Sequence, residues 1–255
     1  MKISVVTIAL NDEMRIARTL ESVRRQTRPL DEYIVVDGLS TDKTNDIIRS
    51  YSDIVTDHIS EPDKGIYDAM NKGILRATGD IIGILNAGDY YYPRTIERVQ
   101  QASAGCDADI YHGDQMTFTE YSDFSFYRYQ KPETEIESLE SGPTIYHPTC
   151  FVSKRLYKSI DMYDTSYRVN ADYEFLLRAK RAGAVFMYIP YTLTGFQTGG
   201  VSGGCSRYYE AYRIIMSYDL PLWGIATCKL IRCIVYDRIG KLVRWDRLLE
   251  RRRKR

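Results

Sequence analysis

The run ILNAGDYYYP at residues 84–93 halts a series of apolar strand-formers at Asn86 and delivers a carboxylate, Asp89, into a tyrosine-rich turn. A strand that ends in an acidic loop can hold a metal ion or a substrate, because carboxylate oxygens suit hard divalent cations. It can equally be a surface turn. The arrangement recurs upstream: Thr7 lies toward the end of KISVVTIAL, Asp37 closes EYIVVD, and Asp63 follows IVTDHIS and precedes Gly65. These groups become neighbours only if the runs carrying them lie side by side and point the same way.

The patterning between them supplies that condition. KISVVTIAL is an unbroken β-branched run of the kind buried on both faces of a parallel sheet. Asn11 or Asp12 is placed to cap a helix whose apolar positions are Ile16, Leu20 and Val23. EYIVVDG is a second strand, Ser40-Thr41-Asp42 starts a second helix through Ile47 and Ile48, and IVTDHIS is a third strand. A helix from Ile66 to Ala77 leads through Thr78-Gly79-Asp80 into IIGILN. Such alternation predicts an α/β fold with a mainly parallel sheet and right-handed crossovers. Ligands of such sheets bind beyond the carboxyl ends of the strands. Past Pro93, ADIYHGDQMTF, HPTCFVSK and VFMYIPYTLTGF read as strands, EYSDFSFYRYQ alternates rings with polar residues, and ADYEFLLRAKRAGA is a helix. KPETEIESLESGP reads as a polar loop of the sort that moves over sites.

With 44% hydrophobic and 27% charged residues among 255, the chain can bury a sizeable core, which excludes wholesale disorder. Five cysteines, an odd number without a CxxC, indicate neither a disulfide framework nor a zinc site. With an N-terminal apolar run too short for a signal peptide, they point to a reducing, cytoplasmic setting. Residues 229–255 hold eleven Lys and Arg against Asp237, Asp246 and Glu250, a net +8; as the whole chain carries +1, the remainder carries −7. On a helical projection Ile231, Val235, Ile239, Leu242, Trp245 and Leu249 gather opposite Lys241, Arg244, Arg247 and Arg251. This predicts a C-terminal amphipathic helix lying on an anionic membrane surface, with a homo-oligomer interface as the other use of its apolar face. Lys229 and Arg232 interrupt the apolar run, so it falls short of the ~20 residues needed to span a bilayer. Without interleaved aromatic and basic residues, nucleic acid is the least favoured partner.

Seven stretches occur in order over residues 1–204: VVTIALND, IVVDGLSTDKT, SEPDKGIYDAMNKGILRATGD, ILNAGDYYYP, HPTCF, NADYEF and GFQTGGVS. Together they resemble the family 2 glycosyltransferases with the GT-A fold. The resemblance implies a twisted, mainly parallel sheet flanked by helices, a nucleotide-sugar donor, a Mg²⁺ or Mn²⁺ ion, and inverting transfer of a sugar to an acceptor hydroxyl. It divides the chain into a nucleotide-sugar-binding half (1–100), an acceptor-binding and catalytic half (101–204) and the basic helical tail (205–255). It implies nucleotide-sugar contacts at Thr7, Asp37, Asp63, Gly65, Asn71 and Asp89, with Asp89 also the metal ligand. Gly65 adds a physical reason, since it opens a helix whose N-terminal N–H groups suit an anion. The resemblance puts the general base in NADYEF, where Asp172 is the candidate and Glu174 the alternative, and it leaves His147 to position acceptor or phosphate. GFQTGGVSGG becomes a glycine-rich flap over pyrophosphate.

Two departures from the family pattern stand out. Its usual D-x-D or S/A-D-D is here Asn86-Ala87-Gly88-Asp89, with one carboxylate, and the second acid expected after the second strand is Gly38. Plainer readings remain: Asp37 and Asp172 as helix caps, His147 as a packed histidine, the glycines as a hinge. The expected setting is bacterial-type surface polysaccharide or glycolipid assembly at the inner membrane face, with a glycan or lipid-linked acceptor. A nucleotidyltransferase would carry a glycine- and Lys/Arg-rich loop after the first strand, which IALNDEMR lacks. A catalytically degenerate nucleotide-sugar binder is the non-enzymatic alternative, favoured by the thinned metal motif.

Overall fold

The structure, a computed structural model, describes residues 1–120, 125–199, 206–221, 227–228 and 231–233. The chain divides into two compact units, Met1–Gly199 and Gly200–Arg255. The first begins with β1 (Ile3–Ala9), α1 (Ile16–Arg24), β2 (Glu32–Asp37), α2 (Thr44–Arg49), β3 (Asp57–Ser60), α3 (Ile66–Arg76) and β4 (Ile81–Asn86). It continues with β5 (Tyr90–Tyr91), α4 (Thr95–Gly105), β6 (Ile110–Glu120), β7 (Ser125–Gln130), β8 (Phe151–Ser153), α5 (Lys154–Ile160), α6 (Ala171–Arg181) and β9 (Phe186–Gln197). In the second unit the described residues include α7 (Ser206–Ser217).

One mixed sheet runs in the order β3-β2-β1-β4-β8-β6-β9-β5, with β7 paired to β6. β3, β2, β1 and β4 are mutually parallel, as the β-branched runs require, and all seven residues of β1 are buried. Successive residues of β1 serve opposite faces. Val5 joins Ile16, Leu20 and Val23 of α1 in one core, whereas Val6 faces α3. α3 comes so close that a Cβ added at Gly73 would lie 2.2 Å from Val6 Cγ1. The two helices therefore cover opposite faces of the strands.

β8 is antiparallel to both β4 and β6, so those two strands run the same way with β8 between them. Phe151 pairs with Gly83 on one side and Tyr111 on the other. Asn86 and Asp114, each three residues further on, therefore stand level at the same rim.

Several local expectations are corrected. Asn11 and Asp12 do not cap α1, whose N-cap is Arg15. Instead Asn11 Oδ1 accepts from Thr41 N–H, and Asp12 pairs with Arg15. KPETEIESLESGP is anchored by a 3-10 turn at Ile136–Ser141 with Leu139 fully buried. Gly195 belongs to β9 rather than to a flap: a Cβ there would lie 2.1 Å from the Tyr90 ring, so the missing side chain serves packing. Cys233 is disulfide-bonded, against the reducing setting inferred from the cysteine count, while Cys106, Cys150 and Cys228 are free. The rest of the expected flap (200–204) lies outside the described residues, as does the expected basic tail apart from 206–221, 227–228 and 231–233. No described helix is long and apolar enough to cross a membrane.

Candidate active site

At the end of β2, Asp37 is fully buried. Its Oδ2 accepts from Ser40 N–H (3.0 Å), Asn45 Nδ2 (2.8 Å) and Ser60 Oγ (2.7 Å). Burial alone would raise this carboxyl; the hydrogen bonds from Ser40, Ser60 and Asn45 outweigh it and hold Asp37 below its ordinary value. Oδ1 is buried without a partner, an acceptor left over. Beside it, a Cβ at Gly38 would lie 2.2 Å from Asp63 Oδ2, so Asp63 occupies the space a second acid after β2 would need. Asp63 Oδ1 accepts from Gly65 N–H at 2.9 Å, which fixes the turn into α3. Gly65 itself has φ +130°, a conformation side chains resist. Leu39 stands in the left-handed region (φ +68°) and is 53% exposed, so the loop holds an apolar side chain out to solvent at a cost of about 1–2 kcal/mol. Thr7 is buried, its hydroxyl 2.9 Å from that of Tyr33, which makes it part of the floor of this region.

At the end of β4 the turn Asn86–Asp89 is held from α1. Thr19 Oγ1 donates to the Asp89 carbonyl (2.6 Å) and accepts from Gly88 N–H (2.9 Å). Asp89 is only 3% exposed, and its Oδ1 accepts from Gln197 N–H (2.8 Å). Burial lifts its carboxyl to about 8; the Gln197 amide and the charge of Arg15 offset this only in part. Asn86 Oδ1 is buried with no partner. A carboxylate starved of positive charge beside an orphaned amide oxygen fits a hard divalent cation, which takes oxygen ligands and is completed by phosphate and water. Among the described residues no group of three or more His, Cys, Asp or Glu could hold a metal alone.

On the other face, Asp172 sits in the first turn of α6, whose N-cap is Asn170, so it does not cap the helix. Tyr67 Oη of α3 reaches Asp172 Oδ1 (3.1 Å) and the Val169 carbonyl (2.5 Å), and Tyr173 N–H also donates to Oδ1 (2.9 Å). His147 Nε2 lies 2.8 Å from Tyr163 Oη. Burial depresses the imidazole below its ordinary value, although the Asp172 charge pulls the other way. Asn71 uses its whole amide on the Tyr163 backbone, donating to O (2.8 Å) and accepting from N–H (3.0 Å). Its place in the structure is therefore a staple between α3 and the segment before α6. Glu174 is committed to Arg178, at 3.0 Å through each oxygen, while Arg178 gathers the carbonyls of Asp161 and Met162. That leaves Asp172 as the carboxylate of NADYEF not bound up in an ion pair with Arg178.

Strand ends thus collect Asp37, Asp63 and Asp89 along one rim, with Asp172 and His147 reaching it from the α3 face. Tyr67 and Asn86 were missed in the sequence. The signal for Tyr67 was its position four residues before Asn71, one helical turn on the same face.

The family model for glycosyl transferase family 2 matches residues 4–161. An uncharacterized glycosyltransferase of Mycobacterium tuberculosis is 31% identical over 179 residues, 69% of this chain and 68% of that protein. The S. aureus TarS 1–349 structure in complex with UDP-GlcNAc superposes with a TM-score of 0.67 at 18% identity, over 84% of this chain and 65% of that one. The match spans only 39% of a longer TarS chain. A mannosyltransferase from Pyrobaculum calidifontis, in complex with GDP-Man and Mn²⁺, gives a TM-score of 0.65 at 17% identity, over 90% of this chain and 69% of that one.

Proposed function

The chain belongs to glycosyl transferase family 2, and from that premise we propose that it transfers a hexosyl group, with inversion, from a nucleoside diphosphate sugar to an acceptor hydroxyl. The observation that carries this reading is Asp172, held by Tyr67 beside His147 and not drawn into the neighbouring Glu174–Arg178 ion pair. The Asp172 carboxylate takes the proton of the acceptor hydroxyl as its oxygen bonds to the anomeric carbon. The anomeric C–O bond to phosphate breaks on the far side, and the nucleoside diphosphate leaves with the electron pair. Asp37, Asp63 and the floor formed by Thr7 and Tyr33 receive the nucleoside, and the turn at Gly65 brings backbone N–H groups toward the diphosphate. Asp89 and Asn86 would hold Mg²⁺ or Mn²⁺, which when bound neutralises the departing diphosphate. The Mn²⁺ present with GDP-Man in the Pyrobaculum enzyme supports a cation at this rim.

The setting we infer is polysaccharide or glycolipid assembly at the inner face of a cell membrane. The net +8 of residues 229–255 supports it, since basic residues are drawn to anionic headgroups.

Asp172→Asn tests the function. Transfer should fall about 10²–10⁴-fold while binding of the nucleoside diphosphate is retained. Unchanged turnover would remove Asp172 from the chemistry, and a wild type that binds nucleotide sugar without transferring it would favour a pure binding protein.

A further inference from the structure

Asp114 is a buried carboxylate, 4% exposed, that belongs to none of the groups above. It stands level with Asn86 at the rim, two strands away, because β8 pairs with both β4 and β6. β6 runs on to Glu120, yet its register with β9 slips at Gly113/Asp114 and again at Asp114/Gln115. Bulges of this kind re-aim side chains and recur next to active sites.

A buried carboxylate normally meets a cation. Asp114 meets hydroxyls: Tyr188 Oη donates to Oδ1 at 2.6 Å and Tyr129 Oη donates to Oδ2. Tyr188 pairs in register with His112, and the two rings lie 5.7 Å apart. His112 is 2% exposed, and its Nδ1 has no hydrogen-bond partner. Burial holds its imidazole down at about 4, so it is neutral near pH 7 and offers one donor and one acceptor. An unsatisfied buried group of this kind recovers a desolvation cost when a ligand reaches it. Tyr129, by contrast, is 53% exposed on β7, whose only ladder among the described residues is with β6. Its hydroxyl can yield its place on Asp114 to an equivalent one.

We propose that Asp114 and His112 form a subsite for the hydroxyl groups of a pyranose ring, with a substrate hydroxyl replacing that of Tyr129 on the Asp114 carboxylate. The subsite rests on the glycosyl-transfer reading and deepens it. The chemistry matches what is already there: a carboxylate accepting O–H groups, a neutral imidazole that both donates and accepts, and aromatic edges beside them. The ring belongs either to the donor sugar or to the acceptor glycan.

The full-length protein is compared with Asp114→Asn and Tyr129→Phe by melting-temperature titration with UDP, GDP, UDP-GlcNAc and GDP-mannose plus Mn²⁺. Transfer and donor hydrolysis are then assayed with whichever donor the wild type uses. Nucleoside diphosphate binding should be unchanged in both variants. If the ring is the donor's, Asp114→Asn weakens nucleotide-sugar binding about tenfold or more. If it is the acceptor's, donor hydrolysis is unchanged and the acceptor KM rises by a similar factor. Tyr129→Phe should leave the affected constant unchanged or improved. An Asp114→Asn protein that melts like the wild type and keeps both constants overturns the subsite. So does a Tyr129→Phe protein that loses as much as Asp114→Asn, because the pair would then be a structural staple. Should Asp114→Asn fail to fold, His112→Phe, which preserves ring packing, must show the same tenfold loss, and unchanged constants there overturn the proposal equally. An inactive wild type would instead overturn the function on which the subsite rests.

Discussion

Two strand ends on one rim each bury an aspartate, and the two are displaced in opposite directions. Asp37 at the end of β2 accepts three hydrogen bonds on one oxygen and lies below its ordinary value despite burial. Asp89 after β4 accepts one from Gln197 N–H and is lifted to about 8. The difference teaches that burial decides a carboxylate's charge only where donors are too few to overrule it. The β2 end is complete within the protein except for one free oxygen. The β4 end is short of positive charge, the condition in which a bound cation gains most.

Removing the acceptor at the satisfied end should have the largest effect on stability. Asp37→Ala strands the Ser40, Asn45 and Ser60 donors and should cost about 2–4 kcal/mol, read as a fall in urea midpoint. A cost below ~1 kcal/mol would mean that these donors find water and the contrast is weaker than drawn.

Asp89→Asn should act in the other direction. An acid raised to about 8 in the folded chain but near 4 when unfolded keeps its proton in the native state while the unfolded chain loses it. The metal-free protein should therefore lose stability as pH rises from about 4 to about 8, and Asp89→Asn should remove that slope, gaining about 1–3 kcal/mol at pH 8. Asp37, lowered on folding, contributes above about pH 4 and loses that contribution as pH falls through its folded value. A metal-free melting curve that rises between pH 5 and pH 8 in step with Asp89 titration would sink the comparison.

The smallest effect concerns the α3 side. Tyr67→Phe removes the hydroxyl that reaches Asp172 and should lower kcat about tenfold while leaving the donor KM in place. A rise in donor KM of the same size would show that α3 shapes the donor site rather than the base.

The parallel β3-β2-β1-β4 sheet was legible because its strands are continuous β-branched runs punctuated by turn residues, a signal contained within each segment. Asp37, Asp63 and Asp89 were legible for the same reason: each closes or follows such a run. What escaped depended on pairs far apart in the chain. Nothing near residue 71 announces that its amide is spent on Tyr163, and nothing in NADYEF says that Asp172 is met by Tyr67. Gly38 reads as a lost acid until Asp63 is seen filling its space, and Gly195 as a hinge until the Tyr90 ring is seen against it.

By itself the sequence determined the parallel strands of the first half and which acids stand at their ends, because hydrophobic periodicity and turn chemistry act within a few residues. Only the tertiary structure decided what state those acids are in. Charge and hydrogen bonding at a buried group depend on how many donors converge on it, and here they come from the loop after β2, α2, β3 and β9, brought together by packing that no local pattern encodes.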